Sequence, residues 1–410
     1  MSIITNYKKR FLNNFLALGL LRFSQEFIPI ILIPYLIRII GLKNYGLIGY
    51  ALSISTLCGT IIEYGFNITA TRDIARNRDT LDKLSKIFSN FFFASLYLSF
   101  LVFVIFFILI SLIPRFNIFS YIYLSTIIFV IFKSLTPFWF FQGMEKMSYN
   151  TIIGGFSNLI YMLSIFSFVN QKEDFFLVPL LNAITSLITF IFSILTIKFK
   201  FRINIEFQNP IKIINTLIKG RHIFIKNSFS YVNTSIINIV TLGFFFNTTL
   251  VGLYLLTSKV IGVSLTLANL LSNTFLPFLS RHINSHIKFQ KLMLSIGLFL
   301  TIITFALSDS ISNLLIDENY NTLSLYIKIL SLSIIFYFIN LTYGTNYLDL
   351  VGKERILKNA TLICSTISLA LSLIIIPIYG VIGAILIPII SRIILSLTTY
   401  KIYLKYRMLI

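Results

Sequence analysis

IFSNFFFASLYLSFLVFVIFFILISLI, residues 87–113, places no charged side chain in twenty-seven consecutive positions. As an α-helix it would rise about 40 Å, more than the roughly 30 Å of bilayer hydrocarbon that about 20 apolar residues suffice to cross. In lipid every backbone N–H and C=O must be paired within the protein, and a lone continuous apolar run achieves this only as a helix. Working outward, comparable runs occupy 11–38, 46–69, 119–141, 150–169, 176–197, 228–247, 251–279, 292–309, 323–348, 360–378 and 381–400. The chain therefore reads as an all-α membrane protein of about twelve transmembrane helices. Its composition agrees: 57% of the 410 residues are hydrophobic, 12% are charged, and 42 are Phe. A soluble domain is about one quarter charged.

The formal net charge of +20 raises nucleic acid as a partner, and the distribution of the basic residues excludes it. They sit between spans rather than in one patch. On one side of the membrane lie Lys8 to Arg10, Arg76, Arg78, Lys83, Lys86, Lys146, the 198–227 loop, Arg281 to Lys291, Lys353 to Lys358 and Lys401 to Arg407. The other side holds only Lys43, Arg115 and Lys172, together with Glu173, Asp174, Asp309, Asp317 and Glu318. The positive-inside rule then predicts both termini in the cytoplasm of a multi-pass protein. The segment after Lys8 to Arg10 is too long and too charged for a cleaved leader and is expected to be the first permanent helix. Cys58 and Cys364 lie inside spans without metal or redox spacing, so they read as buried hydrophobes.

The basic 198–227 segment divides the helices six and six. The expected organisation is an N-terminal lobe over 1–200, a cytoplasmic linker over 201–227 and a C-terminal lobe over 228–410. YGLIGYA at 45–51 and VGLYLLT at 251–257 are a weak internal echo, of the kind expected for halves repeated in parallel about the membrane normal.

Eight charges remain within the spans: Arg22, Glu26, Arg38, Glu63, Lys133, Lys259, Lys328 and Arg392. An ionised side chain at mid-span costs about 2.5–3.5 kcal/mol on insertion scales, so each needs a partner or a wet cavity. Six basic groups against two acidic ones point to a cationic cavity, which suits an anionic ligand. Arg22 and Glu26 lie one turn apart, with Pro29 on the same face; the bland alternative is an ion pair that locks the first helix. Arg22, Glu26, Lys133, Lys259 and Arg392 are the expected substrate-binding residues. Arg38, Glu63 and Lys328 lie near span ends, where interface anchoring is the ordinary role. His222, His282 and His286 lack a third ligand, so no metal is expected. No nucleophile constellation or Gly-rich phosphate loop stands out, so neither enzyme chemistry nor a cofactor is expected.

Five stretches carry a family likeness: IPYLIRIIGLKNYGLIGYALSI at 33–54, EYGFNITATRDIARNRD at 63–79, TPFWFFQGMEKMSY at 136–149, VGLYLLTSKVIGVSLTLANLLSNTFLPFLSR at 251–281 and IPIYGVIGAILIP at 376–388. With them the sequence resembles the O-antigen and polysaccharide-repeat flippases, the Wzx-type branch of the superfamily that includes multidrug and toxic-compound extruders. Pro137 to Glu145 is the most specific part. The resemblance implies two six-helix lobes around a central cavity that opens alternately to each side, with helices eleven and twelve as a candidate tail-binding appendage. It implies an undecaprenyl-diphosphate-linked sugar as cargo, the bacterial inner membrane as location, and the polymerase and chain-length proteins of the same pathway as partners. It also implies coupling to a proton or sodium ion, for which Glu26 and Glu63 are candidates; either residue is equally readable as a counterion. Arg392 matches no motif of the family and rests on physics. Two rivals remain. A membrane polysaccharide polymerase or ligase would carry a large outer loop, and none is seen here. A multidrug antiporter would favour a cavity suited to cationic drugs, against the basic excess.

Overall fold

The apolar runs fold as helices, and no β-strand occurs among the described residues. The structure is a computed structural model that describes residues 2–232, 235–316 and 320–407, without the side chains of 2–27, 29, 30, 226–232, 235, 277, 284 and 320. Asp317 and Glu318 therefore lie outside the described residues. The helices are α1 (Ser2–Glu63), α2 (Phe66–Asn77), α3 (Leu81–Leu112), α4 (Ser120–Leu135), α5 (Phe138–Gly143), α6 (Met147–Phe168), α7 (Leu177–Leu195), α8 (Pro210–Val232), α9 (Ser235–Phe245), α10 (Thr248–Arg281), α11 (His286–Ala306), α12 (Ser308–Leu315), α13 (Tyr320–Ser331), α14 (Ser333–Asn340) and α15 (Glu354–Arg407). Stretches of π-helix, Thr196–Lys200 and Leu341–Leu348, continue α7 and α14.

Nine segments among the described residues are long and apolar enough to cross a bilayer, against the twelve expected. The difference has a physical origin. The 54 residues of α15 would measure about 80 Å as one straight helix, and they break at Gly380, whose φ of 57° lies in the left-handed region that glycine alone enters without penalty. In the same way α1 breaks at Gly41, with φ 80°. Each is thus two helices joined without a loop. The span expected over 228–247 is shared between the end of α8 and α9, whose apolar part, Ile236–Phe245, is short.

The chain forms two compact units. The first comprises Met1–Ile40 and Ala51–Ser228, the second Gly41–Tyr50 and Phe229–Ile410. In the first unit, α4 packs along α7, α6 lies on α7, and α2 seats on α5. A core of this unit gathers Phe66, Ile74, Leu84, Phe88, Trp139, Phe140 and Phe141, all nearly inaccessible. Residues 201–209, in the segment read as a linker, are neither helix nor strand and lie beside α3: the Asn204 and Glu206 amides donate to the Ser85 and Ser89 hydroxyls at 3.1 and 3.0 Å. From Pro210 the rest of that segment is helical.

In the second unit, residues 41–50 lie against α9 and α10. A Cβ on Gly252 would sit 2.7 Å from the Leu42 carbonyl oxygen, one on Gly46 would collide with the Thr248 carbonyl, and one on Gly243 would enter the Tyr50 ring. Small residues let helices approach this closely in membranes. The two echoing stretches, YGLIGYA and VGLYLLT, thus pack on each other. Asn238, 4% exposed, ties the unit together: its amide donates to the Tyr254 hydroxyl (3.1 Å) and the Ala384 carbonyl (3.2 Å) and accepts from Ser372 (2.8 Å).

Candidate functional site

Arg392 stands on the second half of α15, between Pro388 and the helix end, and is half-buried. Its guanidinium donates to the Ser333 hydroxyl at the start of α14. One turn further along that helix, the Tyr337 ring lies 5.5 Å from the guanidinium carbon. The two groups meet the arginine because residues four apart share a helix face. The Tyr337 hydroxyl in turn donates to Asn269 on α10 at 3.0 Å, so helices α10, α14 and α15 all contribute to the arrangement.

Among the described residues no carboxylate lies within ion-pair distance of Arg392; the ion pairs that are described join Arg72 to Asp73, Arg78 to Glu145 and Lys328 to Asp309. A guanidinium carries five N–H donors, and one of them is engaged by the single described hydrogen bond. That bond contributes about 0.5–1.5 kcal/mol and the cation–π contact about 0.5–2. Together they fall near or short of the roughly 2.5–3.5 kcal/mol that a charge costs in a span. Among the described residues the site is a positive charge with one hydrogen bond, set against an aromatic ring, and its chemistry fits an anion such as phosphate or carboxylate.

The other expected residues are placed differently. Arg22 and Glu26 are helical in α1, but their side chains lie outside the described residues. Lys133, in the last turn of α4, is exposed, with its ammonium 5.5 Å from the Phe129 ring centroid. Lys259 is exposed on α10. Glu63 ends α1 and is half-buried, and Arg38 is exposed. Lys328 pairs with Asp309 at 2.9 Å. The described contacts of Arg392 run to Ser333 and Tyr337 rather than to Lys259, so the structure does not join these two basic residues of the second unit.

The stretch with the most specific family likeness serves packing. Trp139, Phe140 and Phe141 fill the first unit's core, Thr71 donates to the Trp139 carbonyl (3.3 Å), Asn150 to the Phe138 carbonyl (3.1 Å), and Arg78 pairs with Glu145 at 2.8 Å. Two of the five stretches, 63–79 and 136–149, thus hold each other. His286 and His282 part company: His282 is exposed, whereas His286 is 2% exposed and bonds the Thr342 carbonyl at 2.9 Å within a cage of Tyr343, Tyr347 and Tyr403. Sequence reading missed Ser333, Tyr337 and Asn269. The serine–tyrosine spacing of four was visible, but nothing in the chain links it to position 392.

Residues 11–283 match the family model of the polysaccharide biosynthesis proteins. A relative from Escherichia coli K12, named "Putative O-antigen transporter", is 28% identical over 240 residues, covering 58% of this chain and 57% of its own length. A protein of the same name from Shigella dysenteriae is 24% identical over 39% of this chain and 40% of its own. The chain thus spans about half the length of these curated relatives. The fold is similar to that of the lipid II flippase MurJ in an inward closed conformation, at a TM-score of 0.74 and 16% identity over 95% of this chain and 86% of that one. An inward-facing multidrug resistance MATE transporter of the MOP superfamily is similar at 0.62 and 12% identity, over 93% and 94%. With most of its length inside the family model, the chain belongs to the polysaccharide biosynthesis protein family, as a multi-pass membrane protein with the helical fold of the MOP transporters.

Proposed function

We propose that the protein is a transporter that flips undecaprenyl-diphosphate-linked oligosaccharide units across the bacterial inner membrane for O-antigen or capsule synthesis. The observation that carries this reading is the family match over 11–283 joined to a transporter fold. The relatives named as O-antigen transporters support the cargo class. Arg392, without a described carboxylate neighbour, supports an anionic head group. In this mechanism Arg22, Lys133, Lys259 and Arg392 line a cationic cavity that takes the diphosphate in an inward-open state, while the polyprenyl tail stays in lipid. The two lobes then rock to release the cargo outward. No bond is made or broken, so the protein is not an enzyme. Glu26 and Glu63 are the candidates for proton or sodium coupling. Both termini lie in the cytoplasm, and the polymerase and chain-length proteins of the pathway receive the product.

The test is deletion of the gene in its host, with complementation by wild type, Arg22→Ala, Lys133→Ala, Lys259→Ala and Arg392→Ala. Surface polysaccharide and undecaprenyl-linked units are followed on each face of the membrane. Units accumulating on the inner face, uncorrected by alanine variants present at normal levels, are the expected result. Units that reach the outer face but stay unpolymerised would move the assignment to a polymerase.

A further inference from the structure

Helix α8 presents two apolar faces, and only one of them is covered. At about 100° per residue, Ile213, Leu217, Gly220 and Phe224 fall on one face. Ile213 is buried in the first unit's core with Leu217 packed against that core, Gly220 lies against Tyr64, and Phe224 stacks on the Tyr64 ring at 4.5 Å. Ile211, Ile214, Ile218 and Ile225 fall about 120° away, each more than 50% exposed, and Phe207 just before the helix is 75% exposed. Lys212 and Lys219 are exposed on a third face, and α8 contains no Asp or Glu. The incoming strap, residues 198–209, adds the exposed Lys198, Lys200 and Arg202 against one exposed carboxylate, Glu206. Its bonds to Ser85 and Ser89 and the buried Ile203 fix where α8 begins.

This helix suits neither water nor the hydrocarbon core. A row of exposed isoleucines rimmed by basic groups marks an interaction surface on a soluble protein. At 23 residues α8 is long enough to cross a bilayer, but Lys212, Lys219 and Arg221 would then be carried through it. An apolar stripe beside a basic, acid-free face is the pattern of a helix lying in the membrane interface. We propose that the first part of α8, residues 210–225, lies in the head-group layer of an anionic leaflet, with Ile211, Ile214, Ile218 and Ile225 at the acyl boundary. Lys212 and Lys219, with the strap's basic residues, bind the phosphates of anionic phospholipids. The preference for anionic lipid follows from the lack of any acidic side chain on α8. The inference is independent of the transported cargo.

The test uses the full chain carrying Cys58→Ala and Cys364→Ala, with single cysteines in place of Lys212, Ile214, Ile218 or Lys219. These are nitroxide-labelled in nanodiscs of phosphatidylcholine with or without phosphatidylglycerol. In the anionic discs, labels at 214 and 218 should be open to oxygen and shielded from a nickel chelate, with the reverse at 212 and 219. Without phosphatidylglycerol the nickel accessibility at 214 and 218 should rise severalfold. Equal nickel accessibility at 212 and 214 in both discs would overturn the interfacial placement, and equal depth in both would overturn the anionic preference. Native mass spectrometry needs no label: Lys212→Gln with Lys219→Gln should retain several-fold less phosphatidylglycerol than wild type. Unchanged retention would overturn the lysines' role.

Discussion

The aromatic core of the first unit and the Arg392 arrangement of the second treat polarity in opposite ways. Around Trp139 most polar groups are paired: Arg78 with Glu145, the Asn150 amide nitrogen with the Phe138 carbonyl, Thr71 with the Trp139 carbonyl, while the buried Asn150 side-chain oxygen has no described partner. Around Arg392 a full charge stands in a span with one described hydrogen bond and one ring. The first arrangement stabilises the fold, and the second is where we propose that an anionic ligand binds. The most recognisable part of this sequence is thus its scaffold, while Arg392, which matches no motif and has no carboxylate neighbour among the described residues, is the functional candidate we propose.

A crossed pair of substitutions can break this contrast. Trp139→Ala empties a buried site and should cost about 3–5 kcal/mol, read as a large fall in melting temperature in detergent and in membrane levels. Arg392→Ala should leave the melting temperature unchanged or raised, because it removes a charge from a span, while abolishing complementation. A destabilised Arg392→Ala at low membrane levels would mean that the arginine belongs to the scaffold, and the contrast would fail.

The contact of residues 41–50 with α10 comes next in size. A Cβ at Gly252 would meet backbone, the Leu42 carbonyl, at 2.7 Å, and backbone cannot rotate away as a side-chain tip can. Gly252→Ala should therefore cost about 1–3 kcal/mol, read by thermal melting. Gly262, where a Cβ meets nothing within 4 Å, is the control, and Gly262→Ala should change little. Equal effects would show that helix propensity rather than close approach explains the glycine.

Much of this fold is legible in the sequence. Long uncharged runs fix helices whatever their neighbours, and the expected boundaries at 38–46 and 378–381 flank the breaks at Gly41 and Gly380. The character of 201–227 was less legible: its basic residues mark it as a connection, yet its isoleucines divide between two faces, and only packing tells which is covered. At the site, an arginine within a span is visible from composition alone. Its support by Ser333 and Tyr337 joins residues almost sixty positions apart, and no local pattern encodes that meeting. Lys133 looks equivalent to Arg392 in sequence, but it ends exposed at the last turn of α4, where a long side chain can reach the interface.

Asn238 offers a smaller test within the second unit, since it bonds Tyr254, Ala384 and Ser372 at once. Hydrogen bonds between membrane helices average well under 1 kcal/mol, with a maximum near 1.7. Asn238→Ala should therefore cost about 1–2 kcal/mol, with Asn238→Asp differing because a carboxylate cannot donate to the Ala384 carbonyl. A loss comparable to that of Trp139→Ala would show that the second unit depends on polar networks as heavily as the first depends on aromatic packing.

The smallest expected effect lies at the Asp309–Lys328 pair, a charge that is satisfied but exposed, intermediate between the two regions first compared. Hydrogen bonds from Ser324 and Lys328 hold the Asp309 carboxyl below its ordinary range. A carboxylate whose pKa is depressed on folding adds stability above its unfolded pKa and loses it as pH falls through the folded one. The melting temperature of wild type should thus exceed that of Asp309→Asn by a small, constant margin at neutral pH, narrowing only in acid below the ordinary carboxylate pKa. Salt should shrink the same margin, because exposed pairs are screened. A margin that survives both acid and salt would mean that Asp309 acts through the geometry of its Ser324 bond rather than through its charge.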